Sequence, residues 1–299
     1  MPTPSAVRVT AWAREKKFAE VLGRKIAYIE RGDGHPIVFI HGNPTSSFLW
    51  RNVMPHVEAA GRRLIVPDQM GMGDSDKIPA DERDRYRLAS QIRYMDAFMD
   101  AVVGSEPRTL VLHDWGGAVG FDWAYRHQKR VRAIAYMETF VAPLTLDDLP
   151  VSFHPTLMAV RSPEGEQLVL NENMFIEKML PSLVQRKLTD EEMAEYRRPY
   201  VEPGEGRLPT LQFAREVPLS GEPSDVAQRM DAYSDWLRTA PQPKLFVNAE
   251  PGVFITGRVR ALANSFSNQE QVSVEGLHFI QEDRPEEVGQ AIASWLKWI

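Results

Sequence analysis

Asp114 lies where an apolar run of the chain passes into a segment rich in small residues. Residues 109–113 are mostly apolar and β-branched or leucine, and residues 115–120 contain three glycines. This order predicts a buried strand, a sharp turn and a helix, with one reactive side chain exposed at the turn. The N–H groups that begin such a helix favour an ionised carboxylate. The alternative interpretation is that Asp114 only caps the helix, because aspartate is a favoured N-cap residue.

A carboxylate at such a turn points to displacement at a saturated carbon. Its attack on an acyl carbon would give an anhydride, whereas its attack on an sp³ carbon gives an ordinary ester that water can hydrolyse. Trp115 and Asn43 offer neutral N–H donors for a leaving halide, which departs as a stable anion and needs no proton. An epoxide oxygen would instead need an acidic O–H. For Trp115 the alternative is simple core packing.

Two further positions complete a possible triad. Of the seven histidines, His278 has the place of a general base, because it follows a predicted strand and precedes the last helix. The acid that would orient its imidazole stays open at this point. Glu138 ends the strand after Asp114 and Glu250 ends the next one, so both carboxylates belong at the same edge of the sheet. Either could equally be a solvated loop acid.

The elements that position these residues alternate between strand and helix. The alternation predicts an α/β fold with a doubly wound, mostly parallel sheet and a site at the carboxyl ends of its strands. Between about 143 and 219 the alternation stops and prolines break the helical pieces, which predicts a helical cap inserted at residues 143–219. The core would then comprise residues 1–142 and 220–299. Residues 1 to about 15 read as a poorly ordered lead-in. Longer helices are predicted at 48–57, 88–103 and 166–180.

The composition excludes several classes of function. The chain has 299 residues, of which 43% are hydrophobic and 25% are charged. Its net charge of -6 does not suggest the basic surface that binds nucleic acid. It contains no cysteine and no apolar run of the length that spans a membrane. We therefore expect a cytoplasmic protein with no metal, no cofactor and no nucleic-acid or membrane partner. The oligomeric state stays open.

From about Phe18 to Trp298 the chain resembles the haloalkane dehalogenases, in the subgroup with an Asp-His-Glu triad and an Asn-Trp halide pair. The order nucleophile, acid, histidine along the chain is that of the α/β-hydrolase fold. Six motifs carry the resemblance: His41-Gly42-Asn43-Pro44-Thr45-Ser46-Ser47, Gly71-Met72-Gly73-Asp74-Ser75-Asp76-Lys77, His113-Asp114-Trp115-Gly116, Tyr136-Met137-Glu138, Asn248-Ala249-Glu250-Pro251-Gly252 and His278-Phe279-Ile280-Gln281-Glu282-Asp283.

The resemblance implies a role for each of these side chains. Asp114 would be the nucleophile, His278 the base and Glu138 the acid. Asn43 and Trp115 would bind the halide through their side chains and form the oxyanion hole through their backbone N–H groups. A small halogenated alkane and water would give an alcohol, chloride or bromide and a proton, without a cofactor. One departure is at 210–215, which reads Thr-Leu-Gln-Phe-Ala-Arg where the family commonly has Thr-Leu-Ser-Trp-Pro-Arg.

The substrate pocket and the alternative functions complete the expectations. Cap and core are expected to line the pocket with Phe153, Leu157, Phe175, Met179, Leu183, Phe213, Ala214, Phe254 and Phe279, although plain lid packing would also explain these residues. An epoxide hydrolase would need lid tyrosines such as Tyr196 and Tyr200 aimed at Asp114. A cofactor-free luciferase on the same scaffold cannot be separated by the motif residues. A fluoroacetate-type enzyme would need an arginine beside the elbow, and a ligand receptor would usually have lost part of the triad.

Overall fold

The computed structural model describes residues 9–299, and their centre is an eight-stranded sheet. The strands are β1 (Lys17–Val21), β2 (Arg24–Arg31), β3 (Pro36–Ile40), β4 (Arg63–Pro67), β5 (Arg108–Asp114), β6 (Val131–Thr139), β7 (Lys244–Pro251) and β8 (Gln269–Gly276). Their order across the sheet is β1-β2-β4-β3-β5-β6-β7-β8. β2 pairs antiparallel with β1 and β4, and all the other pairs are parallel. The predicted fold class is confirmed.

The centre of the sheet explains where the site must lie. Every residue of β3 and β5 is buried, as their unbroken apolar runs predict for strands covered on both faces. β3 pairs with β4 on one side and with β5 on the other, so the winding of the chain reverses between β3 and β5. Such a reversal opens a crevice at the carboxyl ends of the two strands. Asn43 follows β3 and Asp114 ends β5, which brings both to that crevice.

The helices that cover the sheet form two groups. In one group α2 contacts α13, and in the other α4 contacts both α3 and α10. The helices are α1 (Val9–Arg14), α2 (Met54–Glu58), α3 (Leu88–Phe98), α4 (Trp115–Arg126), α5 (His154–Arg161), α6 (Glu164–Glu166), α7 (Leu180–Ser182), α8 (Asp190–Arg197), α9 (Leu208–Arg215), α10 (Ser224–Thr239), α11 (Gly257–Ala263), α12 (Ile280–Asp283) and α13 (Pro285–Trp295). Single 3₁₀ turns lie at Ser47–Trp50, Gln128–Arg130, Leu146–Asp148, Val151–Phe153, Arg198–Tyr200 and Glu205–Arg207, and π-helical turns at Met99–Val103, Gln167–Asn171 and Phe175–Met179.

The start of the chain differs from the prediction. Part of the expected lead-in forms α1, and the buried ring of Trp12 packs edge-on against Phe48. Residues 1–8 of the lead-in lie outside the described residues. The pattern also missed β1, because this edge strand exposes most of its side chains and so lacks an apolar alternation.

Three predicted helices are interrupted. The helix expected at 88–103 is α-helical over Leu88–Phe98 and continues as a π-helical turn. The helix expected at 166–180 is split at Asn173, whose φ of 54° lies in the left-handed region that asparagine tolerates better than most residues. The helix expected at 48–57 consists of a 3₁₀ turn and the separate helix α2, which has a proline in its first turn.

The inserted helices α5–α9 follow β6 and precede α10, and their residues form part of the wall over the carboxyl end of β5. No helix of residues 9–299 has both the length and the apolar character needed to cross a membrane.

Candidate active site

Asp114 occupies a sharply bent backbone between β5 and α4. Its φ of 50° and ψ of -130° are rare for a residue with a side chain, and its carbonyl oxygen accepts a hydrogen bond of 2.6 Å from the hydroxyl of Thr139. The loop after β3 passes very close to it, since a Cβ atom on Gly42 would lie 2.0 Å from Asp114 Oδ1. A strained residue held by its neighbours at a crevice is typical of a functional site.

Asn43 and Trp115 flank the Asp114 carboxylate. The backbone N–H of Asn43 donates to Asp114 Oδ1 at 2.6 Å, and the Asn43 side-chain Nδ2 donates to the carbonyl of Thr210 at 3.1 Å. The indole of Trp115 packs against Phe140 with ring centroids 4.5 Å apart. Trp115 is the first residue of α4, where backbone N–H groups have no acceptor within the helix. The carboxylate therefore accepts one backbone N–H and lies beside the start of a helix.

His278 lies between two carboxylates in the buried interior. Its Nε2 is 3.5 Å from Asp114 Oδ2, and its Nδ1 is 3.4 Å from Glu138 Oε2. Burial disfavours the charged imidazole, but hydrogen bonds and attraction to the two carboxylates outweigh that cost and raise the pKa of His278 to about 9. The carbonyl of His278 accepts a hydrogen bond from His113 Nε2 at 2.9 Å. Burial lowers the pKa of His113 well below its usual value, so this second imidazole is neutral.

The two candidate acids have very different surroundings. The Glu138 carboxylate accepts hydrogen bonds from the backbone N–H groups of Val253 and Phe254, both at 2.9 Å, and from Ile255 at 3.3 Å. Glu250 is exposed and bonds the side chain of Asn248 at 2.9 Å. The β5–β6 register shifts just before Asp114, and Glu138 itself has a φ of 39°. This bulge turns Glu138 towards His278, as β-bulges beside active sites commonly do.

A cavity of about 100 Å³ lies over Asp114 and is walled by both core and inserted helices. Of the predicted residues, it is lined by Asn43, Asp114, Trp115, Phe153, Leu157, Phe175, Met179, Leu183, Ala214, Phe254, His278 and Phe279. Glu138 lies behind His278, outside this lining. Phe213 does not line the cavity either, contrary to the expectation. Its ring stacks on Trp115 at 5.0 Å, because neighbouring residues of α9 face different sides and Ala214 faces the cavity.

Several lining residues were not predicted: Pro44, Phe140, Leu144, Leu149, Thr156, Val160 and Val217. Helical spacing could have indicated two of them, since Thr156 and Val160 continue the face that Phe153 and Leu157 begin. Phe140 follows Glu138 by two residues. Asp114 and His278 are the only residues among the lining set whose side chains ionise. Among residues 9–299, no group of three or more histidine or acidic side chains is arranged to hold a metal ion.

Comparison with known proteins gives the same assignment at the level of the family. A model of the alpha/beta hydrolase fold matches residues 35–285. A curated haloalkane dehalogenase of Sphingobium indicum is 49% identical over 283 residues, which are 95% of this chain and 95% of that protein. The chain belongs to the haloalkane dehalogenase family. The predicted α/β-hydrolase fold and the resemblance are thus confirmed.

Two further relatives show the breadth of this scaffold. The crystal structure of the haloalkane dehalogenase DbeA from Bradyrhizobium elkani has a TM-score of 0.89 and 36% identity, and the match covers 95% of this chain and 97% of that one. A coelenterazine h 2-monooxygenase of Renilla reniformis is 39% identical over 290 residues, which are 96% of this chain and 91% of that protein. Membership of the haloalkane dehalogenase family therefore leaves a specific rival, an oxygenase on the same fold.

Proposed function

We propose that this enzyme hydrolyses haloalkanes to an alcohol, a halide ion and a proton through a covalent alkyl ester on Asp114. The observation that carries the proposal is that the two oxygens of the Asp114 carboxylate have different partners. Oδ1 is held by the N–H of Asn43 at 2.6 Å, and Oδ2 lies 3.5 Å from His278 Nε2. Oδ1 is thus held by a short backbone hydrogen bond, whereas Oδ2 has only the longer contact with His278 and is the oxygen that attacks.

In the first step Asp114 Oδ2 attacks the carbon that bears the halogen, and the carbon–halogen bond breaks with its electron pair on the halide. Trp115 Nε1–H and Asn43 Nδ2–H receive the halide. The amide of Asn43 has two hydrogens, and the carbonyl of Thr210 accepts only one of them at 3.1 Å, which leaves the second for the anion. Hydrogen bonds to a charged group contribute about 1.5–3 kcal/mol each.

In the second step water attacks the carboxyl carbon of the ester, and His278 Nε2 takes the proton. The charge develops on Oδ1, where the backbone N–H of Asn43 already donates and the N–H of Trp115, at the start of α4, supplies a second donor. Glu138 holds the imidazole through Nδ1 and stabilises its charged form. Collapse of the intermediate breaks the bond between the carboxyl carbon and Oδ2, and His278 returns its proton to the departing alcohol oxygen. The carboxyl group that remains, with one oxygen from water, loses its proton and is again a carboxylate.

The charge of Asp114 also controls when His278 can accept a proton. In the free enzyme two carboxylates raise the pKa of His278 to about 9, so the imidazole is protonated at neutral pH and cannot accept a proton. Alkylation neutralises Asp114 and removes one of those two influences, which lowers the pKa of His278. The base therefore becomes available only after the ester has formed.

Epoxide hydrolysis lacks the proton donor that it would need here. The hydroxyl of Tyr196 donates to the Glu282 carboxylate, away from the cavity. Lys77 Nζ lies 4.7 Å from the centre of the Tyr200 ring, and neither tyrosine belongs to the cavity lining. Neither tyrosine is therefore placed to protonate an opening epoxide oxygen.

A single turnover in water labelled with oxygen-18 tests the proposal. With enzyme in excess over 1-bromobutane, the butanol should carry unlabelled oxygen from Asp114, and the peptide that contains Asp114 should become heavier by one oxygen-18. Label in the first-turnover butanol would mean direct displacement by water and would contradict the ester mechanism. Parallel assays with styrene oxide and coelenterazine separate the two rivals, because turnover of either with no halide release from 1-bromobutane would favour that rival.

Residues 143–219 form a cap on the two core parts, 1–142 and 220–299, which is supported by the mixed origin of the cavity wall. The reaction needs water and the halogenated alkane alone. The cytoplasmic location stays a prediction.

A further inference from the structure

A buried cluster of ionic side chains lies directly behind the loop that carries His278. Its centre is Glu282, four residues after His278 and 1% exposed. Arg51 binds both carboxylate oxygens of Glu282, at 2.5 and 2.9 Å, and Arg186 and Tyr196 donate to the same carboxylate. Arg51 follows β3, whereas Arg186 and Tyr196 belong to the inserted segment. Glu282 therefore joins three distant parts of the chain.

Glu192 closes the cluster from the inserted side. It accepts hydrogen bonds from Arg51 at 2.6 Å and from Arg186 at 2.8 Å. Two arginines and two glutamates balance in charge, but burying Arg51 and Glu282 almost completely is costly, and such clusters are weak evidence for stability. The cluster is therefore better explained by the position of the chain segments that it holds together.

Four hydrogen bonds beside the cluster act on the segment after His278. The backbone N–H of Phe279 donates to the carbonyl of Leu183 at 3.2 Å. Asp283 Oδ1 accepts from the backbone N–H groups of Gln185 and Arg186, at 2.8 and 3.0 Å. Arg186 Nε also donates to the carbonyl of Glu282 at 2.6 Å. These hydrogen bonds thus fasten residues 279–283 at both ends to residues 183–186, and none of them involves Asp114.

We propose that Glu282 is a positioning residue, which through Arg51 and Arg186 keeps His278 aligned for hydrolysis of the ester. The inference rests on the proposed function, because it concerns the second of the two steps. Alkylation of Asp114 uses no atom of His278, whereas ester hydrolysis needs Nε2 directed at a water. Displacement of a catalytic group by about 1 Å from a distant change can cost about 100-fold in rate. Weakening the cluster should therefore slow only hydrolysis.

The two steps leave separate kinetic signatures. Alkylation with halide release determines kcat/KM, because it is the first irreversible step, whereas hydrolysis affects kcat and limits it once hydrolysis is the slowest step. In Glu282→Gln we expect kcat to fall by about tenfold or more, KM to fall with it, and kcat/KM to stay within about twofold. Rapid mixing with 1-bromobutane should give a halide burst of normal rate, and intact mass should show accumulated alkyl-enzyme. Tyr196→Phe removes one hydrogen bond of the same carboxylate and should show the same split to a smaller degree.

Glu216→Gln is the matched control. Glu216 is 2% exposed, binds Arg87 at 2.9 Å and the backbone N–H of Leu88 at 3.0 Å, and so also joins an inserted helix to the core. It contacts no residue of 278–283 in these bonds. We expect no accumulation of alkyl-enzyme in this variant.

The outcomes distinguish the two proposals. If Glu282→Gln does not fold, Tyr196→Phe decides. If the folded cluster variants lower kcat and kcat/KM equally, or accumulate no more alkyl-enzyme than Glu216→Gln, the cluster has no positioning role and the inference is wrong. If the wild-type enzyme itself places no oxygen-18 on Asp114, the proposed function fails first.

Discussion

At the scale of single residues, the site depends on how three ionisable side chains share charge. His278 lies 3.5 Å from Asp114 and 3.4 Å from Glu138, and both contacts are buried. Buried charges interact strongly, so the state of one carboxylate changes the basicity of the imidazole. This arrangement makes different demands on the two chemical steps, which variants of the three residues can separate.

Replacing His278 with Phe should block the second step and leave the first intact. Incubation with a bromoalkane should then release about one halide ion per enzyme and stop, because the ester on Asp114 has no base to assist its hydrolysis. Intact mass should rise by the alkyl group less one hydrogen, and peptide mapping should place it on Asp114. Continued turnover, or label on another residue, would falsify the assignment of His278.

Glu138→Gln should lower kcat by about 100-fold or more, because the imidazolium that forms during ester hydrolysis loses its carboxylate partner. Glu250→Gln is the control at the neighbouring strand end. Glu250 is exposed and bonds Asn248 and Ser273, so its replacement should change kcat by no more than about twofold. Steady-state halide release measures both, and the opposite ranking would move the acid to β7.

The Asp114→Asn variant mimics the charge of the alkylated enzyme. Because one of the two carboxylates that raise the pKa of His278 becomes neutral, the imidazole should lose its proton at a lower pH than in the wild type, where the pKa is about 9. NMR titration of labelled histidine measures the shift. Glu250→Gln should titrate as the wild type does. An unchanged pKa in Asp114→Asn would contradict the proposed timing of the base.

At the scale of elements, the ends of β3 and β5 must approach closely for one carboxylate to receive the N–H of Asn43. The loop after β3 achieves this by having no side chain at Gly42, where a Cβ atom would lie 2.0 Å from Asp114 Oδ1. The bent backbone at Asp114, with a φ of 50°, points the same carboxylate at the loop. Both features belong to the junction of two elements rather than to either strand alone.

Gly42→Ala should therefore displace the Asp114 carboxylate and lower kcat/KM for 1-bromobutane by about 100-fold. Gly206→Ala is a suitable control, since a Cβ atom at Gly206 meets nothing within 4 Å. We expect that control to keep its activity within about twofold and its thermal unfolding midpoint close to that of the wild type. Equal activity of the two variants would mean that the junction tolerates a wider spacing.

At the scale of the whole molecule, the inserted helices and the core enclose a cavity with an apolar wall. Five phenylalanines line it, namely Phe140, Phe153, Phe175, Phe254 and Phe279. No lysine or arginine among residues 9–299 lines the cavity, and the charged imidazole of His278 is already paired with Asp114 and Glu138, so a negatively charged substituent on the substrate would lose its hydration without gaining a partner. We therefore expect the cavity to favour uncharged alkyl groups over charged ones.

This selection predicts a large difference between two substrates of the same shape. The carboxylate of 4-bromobutanoate and the isopropyl end of 1-bromo-4-methylpentane occupy similar volumes, but burying the carboxylate costs several kcal/mol. We expect kcat/KM for the charged substrate to be lower by about 100-fold or more. Halide release from each at matched concentrations measures the ratio, and comparable values would place a cation or open water beside the bound chain.

The sequence alone determined the strands at the centre of the fold and the positions of Asp114 and His278. Buried strands and sharp turns leave local patterns, because apolar runs and small residues act over a few neighbouring positions. Asp114 and Glu138 appear in such patterns, but so does Glu250. Local patterns left the choice between the two acids open, and the family resemblance implied Glu138. The tertiary structure supplies the physical reason, because a bulge with a φ of 39° at Glu138 and three N–H groups from residues 253–255 direct that carboxylate towards His278. Glu138 and His278 are 140 residues apart, and no local pattern encodes a direction over that separation. The same holds for Phe213, which faces Trp115 instead of the cavity because of how α9 packs on the core.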